Sequence, residues 1–215
     1  MKRWRRETMN KLSRRIKSVR ALVPTVRSGD LIPIDEHGFW AGRSSPRRSL
    51  HRAAAQFDAM GGRVIVEIGT GIHGPMSGDS MRVWVSRTKA ARIIAVDLDP
   101  ARTEEVKATL GDRPNVELVV ADGVVFLESF KEPIDLLYLD FWTPDPEGAL
   151  PGTGRAHAYR DAYAAARERL NKRSMILIDD TDHIHPWKHT YIVPNARQDG
   201  FKVIYTGRQT LLARE

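Results

Sequence analysis

The stretch Arg63-Val-Ile-Val-Glu-Ile-Gly-Thr-Gly-Ile-His-Gly74 decides how the rest of the chain is read. Val64 to Ile68 form an apolar run of the length of a buried parallel strand. Gly69, Thr70, Gly71 and Gly74 follow, where a backbone turns tightly and lies close to whatever binds there. Glu67 stands at the mouth of the strand. A strand that runs into a glycine-rich turn is how open α/β sheets build a nucleotide site. The same pattern also serves an ordinary strand-to-helix turn, so the flanking sequence has to decide.

Downstream the pattern alternates. Strands are predicted over Val64–Ile68, Arg92–Asp97, Val116–Val120, Ile134–Asp140 and Met175–Asp179. Helical segments lie between them, near Ser80–Thr88, Pro100–Leu110, Gly123–Phe130 and His157–Leu170. In the last of these Tyr159, Tyr163, Ala166 and Leu170 make a core-facing stripe. A short helix around Pro186–Gln198 precedes Phe201–Tyr205, a turn at Thr206-Gly207, and Gln209–Ala213. Two strands joined by so short a turn are antiparallel. The expected fold is α/β: a doubly wound, Rossmann-like, seven-stranded and mostly parallel sheet closed by a C-terminal antiparallel hairpin.

Upstream, Ser45-Pro46 reads as a helix start, with Ser45 as N-cap, running to about Met60 and stopping at Gly61-Gly62. Residues 1–48 are expected to be a basic N-terminal helix and an irregular connector, and residues 49–215 the folded domain. Of the 34 Lys and Arg, nine fall among the first twenty residues against a single acid, Glu7. The body that remains is nearly neutral and carries no phosphate-tracking surface. Trp4, Thr8, Leu12, Ile16 and Val19 make a narrow apolar stripe on that basic helix. It suits docking to a second copy of the chain. Contact with an anionic membrane or nucleic acid is the less favoured use. With no cysteine, disulfides and thiolate metal sites are excluded. No apolar run reaches the length of a membrane span, and a cytoplasmic location is the default expectation.

The strand ends carry acids. Asp97 closes the second strand, where a carboxylate accepts hydrogen bonds from a ribose diol. Asp122 follows the third, where it can accept from an adenine amino group; an aspartate at either place also suits a helix N-cap. Asp140 ends the fourth strand, and Asp179 and Asp180 end the fifth. Neighbouring strands bring these three carboxylates side by side, where they repel unless a cation lies among them. Oxygen ligands alone favour Mg²⁺ or Ca²⁺ over zinc.

These residues together resemble the class I S-adenosylmethionine-dependent methyltransferases. Glu67-x-Gly69-Thr70-Gly71 is similar to their first motif, Asp97 to the acid of the second, and Ala121-Asp122-Gly123 to the third. The closing hairpin fits their seventh strand. The chain departs from the pattern at His73, where many members carry a third glycine, and in the long stretch Gly74 to Ser80. Either Gly74 or Gly78 could open the helix. Gly78-Asp-Ser80 resembles a segment of metal-dependent relatives whose serine contacts the cofactor's carboxylate, which assigns that role to Ser80.

Leu-Asp-Phe-Trp142 and Ile-Asp-Asp-Thr181 resemble the catechol-type and antibiotic-tailoring O-methyltransferases. The resemblance implies S-adenosylmethionine as methyl donor and Mg²⁺ held by Asp140, Asp179 and Asp180. The substrate is then a small hydroxylated molecule. The lysine base that catechol-type members place three residues after the first metal acid is Thr143 here. His183, His185 and His157 are the candidate bases, His183 foremost. Two alternatives stay open: an RNA or protein methyltransferase gripping its substrate with the basic tail, and a non-catalytic binding module on the same fold.

Overall fold

The computed structural model describes residues 46–70, 78–183 and 186–214. The basic segment, the connector as far as Ser45, Gly71, His73, Gly74 and His185 lie outside the described residues, while residues 46–48 belong to the first helix.

Helix α1 spans Pro46–Ala59 and strand β1 Val64–Ile68. Then come α2 (Asp79–Arg87), β2 (Arg92–Asp97), α3 (Pro100–Leu110), β3 (Val116–Val120), α4 (Gly123–Ser129) and β4 (Ile134–Leu139). The chain closes with α5 (Thr153–Ala166), a 3₁₀ turn at Arg167–Arg169, β5 (Leu170–Ile178), α6 (His189–Gln198), β6 (Phe201–Thr206) and β7 (Thr210–Arg214). The seven strands form one sheet in the order β3-β2-β1-β4-β5-β7-β6. All pairs are parallel except β5 with β7 and β6 with β7. The anticipated architecture is therefore the observed one.

Alternation along each strand divides the core into two layers. Val66, Ile68, Ile94, Val96, Leu137, Leu139, Ile176 and Ile178 face Tyr159, Tyr163 and Ala166 of α5 and Ile192 of α6. Ile65, Ile93, Leu136, Tyr138, Met175 and Leu177 face Phe57 of α1, Met81 and Trp84 of α2 and Val106 of α3. A strand buried on both faces reads as a nearly continuous apolar run, and β2 does so between its ends, whereas β1 interrupts the run with buried Glu67 and β4 with half-buried Asp135.

Three element starts differ most from expectation. Strand β5 starts at Leu170, because Asn171, Lys172 and Arg173 extend it as a polar, exposed edge before Met175 enters the core. Helix α5 starts four residues before His157, behind a left-handed Gly152 whose N–H Asp145 accepts at 2.9 Å. Helix α6 starts at His189 rather than at Pro186. Gly78, with φ of 72°, is the residue that opens α2.

Candidate functional site

The parallel register fixes the site. Ile68 lies opposite both Val96 and Leu139, and Leu139 opposite Ile178. The next residue of each strand therefore emerges on one line: Asp97, Gly69, Asp140 and Asp179. Backbone bonds extend the ladder one step further, from Gly69 N to Val96 O at 2.8 Å, Asp140 N to Ile68 O at 2.9 Å and Asp179 N to Leu139 O at 3.1 Å. Gly69 has φ of +86°, and a Cβ there would lie 2.2 Å from the Asp140 carbonyl oxygen. Only glycine allows β1 to end this close to β4. A Cβ on Gly123 would lie 2.1 Å from Ile68 Cγ2, so α4 also starts hard against the end of β1.

On the β2 side, Asp97 is buried and organises the turn. Its Oδ2 accepts from Thr70 N and Thr70 Oγ1, both at 2.9 Å, and its Oδ1 accepts from Asp99 N at 2.9 Å. Each carboxylate oxygen has two acceptor sites, so Oδ1 retains capacity for a ligand hydroxyl. Asp122 is the N-cap of α4: its Oδ1 accepts from Val124 N at 2.8 Å and Val125 N at 3.1 Å. Ser80 Oγ donates to Glu67 Oε1 at 2.6 Å, and Trp84 Nε1 donates to Glu67 Oε2 at 2.6 Å. Ser80 is thus engaged with Glu67 from the helix side of the turn. Burial pushes the Glu67 carboxyl up to about 8, outweighing the two donors that favour its charged form.

On the other side of Gly69, Asp140, Asp179 and Asp180 come together as expected, with one oxygen of each within 4.8 Å of the others. Two cations that the sequence reading did not single out stand among them. Buried Lys188 donates from Nζ to Asp140 Oδ1 and to Asp180 Oδ2, both at 3.2 Å. Arg208 Nη2 lies 2.8 Å from Asp180 Oδ1, and its Nε 3.8 Å from Asp179 Oδ1. The Tyr138 hydroxyl is 3.3 Å from both Asp140 Oδ2 and Asp179 Oδ2, and accepts from Gln209 Nε2 at 3.1 Å. Asp180 has φ of 50°, a left-handed conformation that aspartate tolerates better than most residues and that clusters at working sites.

The charges sort themselves accordingly. Burial, then Asp140 and Asp180, push the Asp179 carboxyl up. Burial works against the Asp180 carboxylate too, but Lys188 and Arg208 outweigh it and hold its pKa low. Burial alone would lower Lys188; Tyr159 and the three acids overcome that and hold it well above the usual lysine range. Lys188 belongs to no motif and follows Asp140 by 48 positions. The one local signal is its place in a short aromatic-flanked connection between β5 and α6. Arg208 sits in the turn of the closing hairpin, where an arginine ordinarily faces solvent.

His183 is exposed and stacks on Trp187 with ring centroids 4.4 Å apart; His157 stacks on Tyr191 at 5.2 Å. Arg155, in the first turn of α5, lies over the Trp142 and Trp187 rings, 4.7 and 4.8 Å from their centroids, and pairs at 3.0 Å with Asp145 of the loop after β4. Tyr159 fixes the start of that loop by bonding Phe141 N at 2.9 Å and Phe141 O at 3.0 Å.

The donor set of the acid cluster is right for Mg²⁺, which takes oxygens at about 2.0–2.1 Å. Its setting is not. Two of the three carboxylates already hold a buried ammonium, and a divalent ion on the same oxygens would meet it near contact distance. Repulsion of that kind amounts to several kcal/mol even at an effective dielectric constant of about 20. The cluster does not fit a divalent cation while Lys188 stays in place.

The family model for a methyltransferase domain matches residues 66–181, more than half of the 215 residues. The match takes in the glycine turn and all the strand-end acids but not Lys188 or Arg208. No curated protein sequence matches the chain. Among solved structures, the chain is similar to the S-adenosylhomocysteine-bound methyltransferase PaMTH1 of Podospora anserina, at TM-score 0.54 and 17% identity over 97% of this chain and 96% of that one. A Staphylococcus aureus protein provisionally named a caffeoyl-CoA O-methyltransferase gives TM-score 0.55 at 12% identity, over 79% and 83% of the two chains. A Clostridium thermocellum protein provisionally named an rRNA-methylase gives 0.55 at 14% identity, over 76% and 95%. Sheet order, glycine turn, strand-end acids and the family match lead to one assignment: the chain belongs to the methyltransferase-domain family of class I S-adenosylmethionine-dependent methyltransferases.

Proposed function

We propose that the chain methylates an oxygen of a small hydroxylated molecule. What carries this reading is the division of the sheet edge on either side of Gly69. The β2 and β3 ends offer Asp97 and Asp122 to a nucleoside, and the β4 and β5 ends offer a dense polar cluster to an acceptor. S-adenosylmethionine supplies an electrophilic methyl group on a sulfonium. Asp97 accepts from the ribose diol through the capacity left on Oδ1, and Asp122 caps α4 beside the base.

The partly exposed Asp140 carboxylate, one residue beyond β4, orients the acceptor hydroxyl and takes its proton as the methyl–oxygen bond forms and the methyl–sulfur bond breaks. The positive sulfonium becomes a neutral thioether and the carboxylate becomes neutral, so charge balances. Two residues beyond Asp140 the chain carries Trp142, whose ring Arg155 of α5 covers at 4.7 Å. His183 remains the candidate second base, at the exposed rim.

The test is incubation with methyl-labelled donor and a panel of catechols, phenols and aliphatic alcohols, with mass spectrometry of the products. O-methylated product supports the reading. Label appearing only in RNA or protein offered in parallel would replace it with the macromolecular alternative.

A further inference from the structure

We infer that Lys188 is the resident cation of the acid cluster, and that Asp140, Asp179 and Asp180 hold its ammonium in the place where a divalent metal ion would otherwise be bound. The inference rests on the acceptor-site reading given above. Lys188 is buried, yet its aliphatic stem is long enough to reach solvent from most positions. It remains inside because the charge is paid for there by Asp140 and Asp180, each 3.2 Å from Nζ. The Tyr159 ring beneath it, 5.4 Å from centroid to Nζ, adds a cation–π contact. Arg208 covers the remaining acidic edge from the closing hairpin, 2.8 Å from Asp180.

The two arrangements differ in what they ask of the acceptor. A bound divalent ion would take acceptor oxygens as ligands. An ammonium has no coordination shell to complete and no open position to fill. It holds the carboxylates in place, while the exposed edges of Asp140 and Asp180, each about a quarter accessible, face the acceptor. The acceptor is then recognised by hydrogen bonds to carboxylate oxygens. A single hydroxyl suffices, and paired oxygens are not required.

Mn²⁺ serves as the probe, with free ion followed by electron paramagnetic resonance. Wild type should leave Mn²⁺ free into the millimolar range. Lys188→Ala, which removes the charge and opens the cluster, should bind it about tenfold or more tightly, and Lys188→Arg should behave as wild type. If Lys188→Ala does not fold, as judged by circular dichroism, the wild-type titration decides by itself. Stoichiometric micromolar binding by wild type that Asp140→Asn abolishes would overturn the inference. Methylation of the acceptor panel should persist in excess EDTA; activity lost in EDTA and restored by Mg²⁺ would also overturn it. If no acceptor is methylated with or without metal, the small-molecule reading fails, and the Mn²⁺ titration still decides the present one.

Discussion

Asp97 and Glu67 are buried acids at the same turn with opposite electrostatic fates. Asp97 gathers three donors, two from Thr70 and one from Asp99, and is a ready acceptor for a ligand diol. Asp97→Ala should therefore weaken S-adenosylmethionine binding by about 1–3 kcal/mol, read by calorimetric titration; equal affinities would remove it from the site. Glu67 is more deeply buried, and its carboxyl rises from 4.5 to about 8. Between those values the folded protein holds a proton that the unfolded chain has released. This group therefore lowers stability progressively as pH rises through that window, and no further above it. Glutamine cannot titrate and keeps both contacts: its oxygen accepts from Trp84 Nε1, and its amide donates to the Ser80 hydroxyl once that rotates. Glu67→Gln should thus gain on wild type in stability between about pH 5 and pH 8, by up to a few kcal/mol at about 1.4 kcal/mol per unit, read as a rise in melting temperature relative to wild type across that window. A difference independent of pH would mean that Glu67 is charged in the fold.

At the scale of elements, the decisive feature is the junction of β1 and β4. Gly69→Ala combines a left-handed φ with a Cβ placed 2.2 Å from the Asp140 carbonyl oxygen. The strain alone is worth about 1–3 kcal/mol, and the collision is with backbone, which cannot rotate away. The variant should lose at least that much in urea unfolding and lose cofactor affinity with it; a wild-type midpoint would show that the strand ends separate freely. This junction was legible in the sequence, because a fully buried strand leaves a continuous apolar run and its end demands glycine. The acids were legible for a related reason: equal parallel register turns consecutive strand ends into neighbours. Lys188 was not. Its place depends on how the connection after Asp180 folds back over Tyr159, a tertiary fact with no periodicity or spacing to announce it. The bond from Ser80 to Glu67 was hidden for the same kind of reason, since only the packing of α2 on β1 reveals that the hydroxyl meets that carboxylate. The polar start of β5 was hidden because Asn171, Lys172 and Arg173 do not read as strand.

Over the whole molecule, charge and chemistry are separated. The strand-end acids, Lys188 and Arg208 all belong to residues 67–208 of a nearly neutral body, whereas residues 1–20 concentrate nine basic side chains beside one acid. Among the described residues no helix is long and apolar enough to cross a membrane. A segment that adds charge and an apolar stripe but none of the strand-end groups is suited to assembly or attachment, and we propose pairing with a second copy of the chain as its main use. A chain starting at Ala21 should therefore keep wild-type affinity for S-adenosylmethionine, measured by calorimetry, and change its sedimentation from oligomer to monomer. Loss of cofactor affinity on truncation would tie the segment to the site. Unchanged sedimentation with lost binding to anionic vesicles would assign it to a membrane surface, and lost binding to RNA would favour the macromolecular substrate.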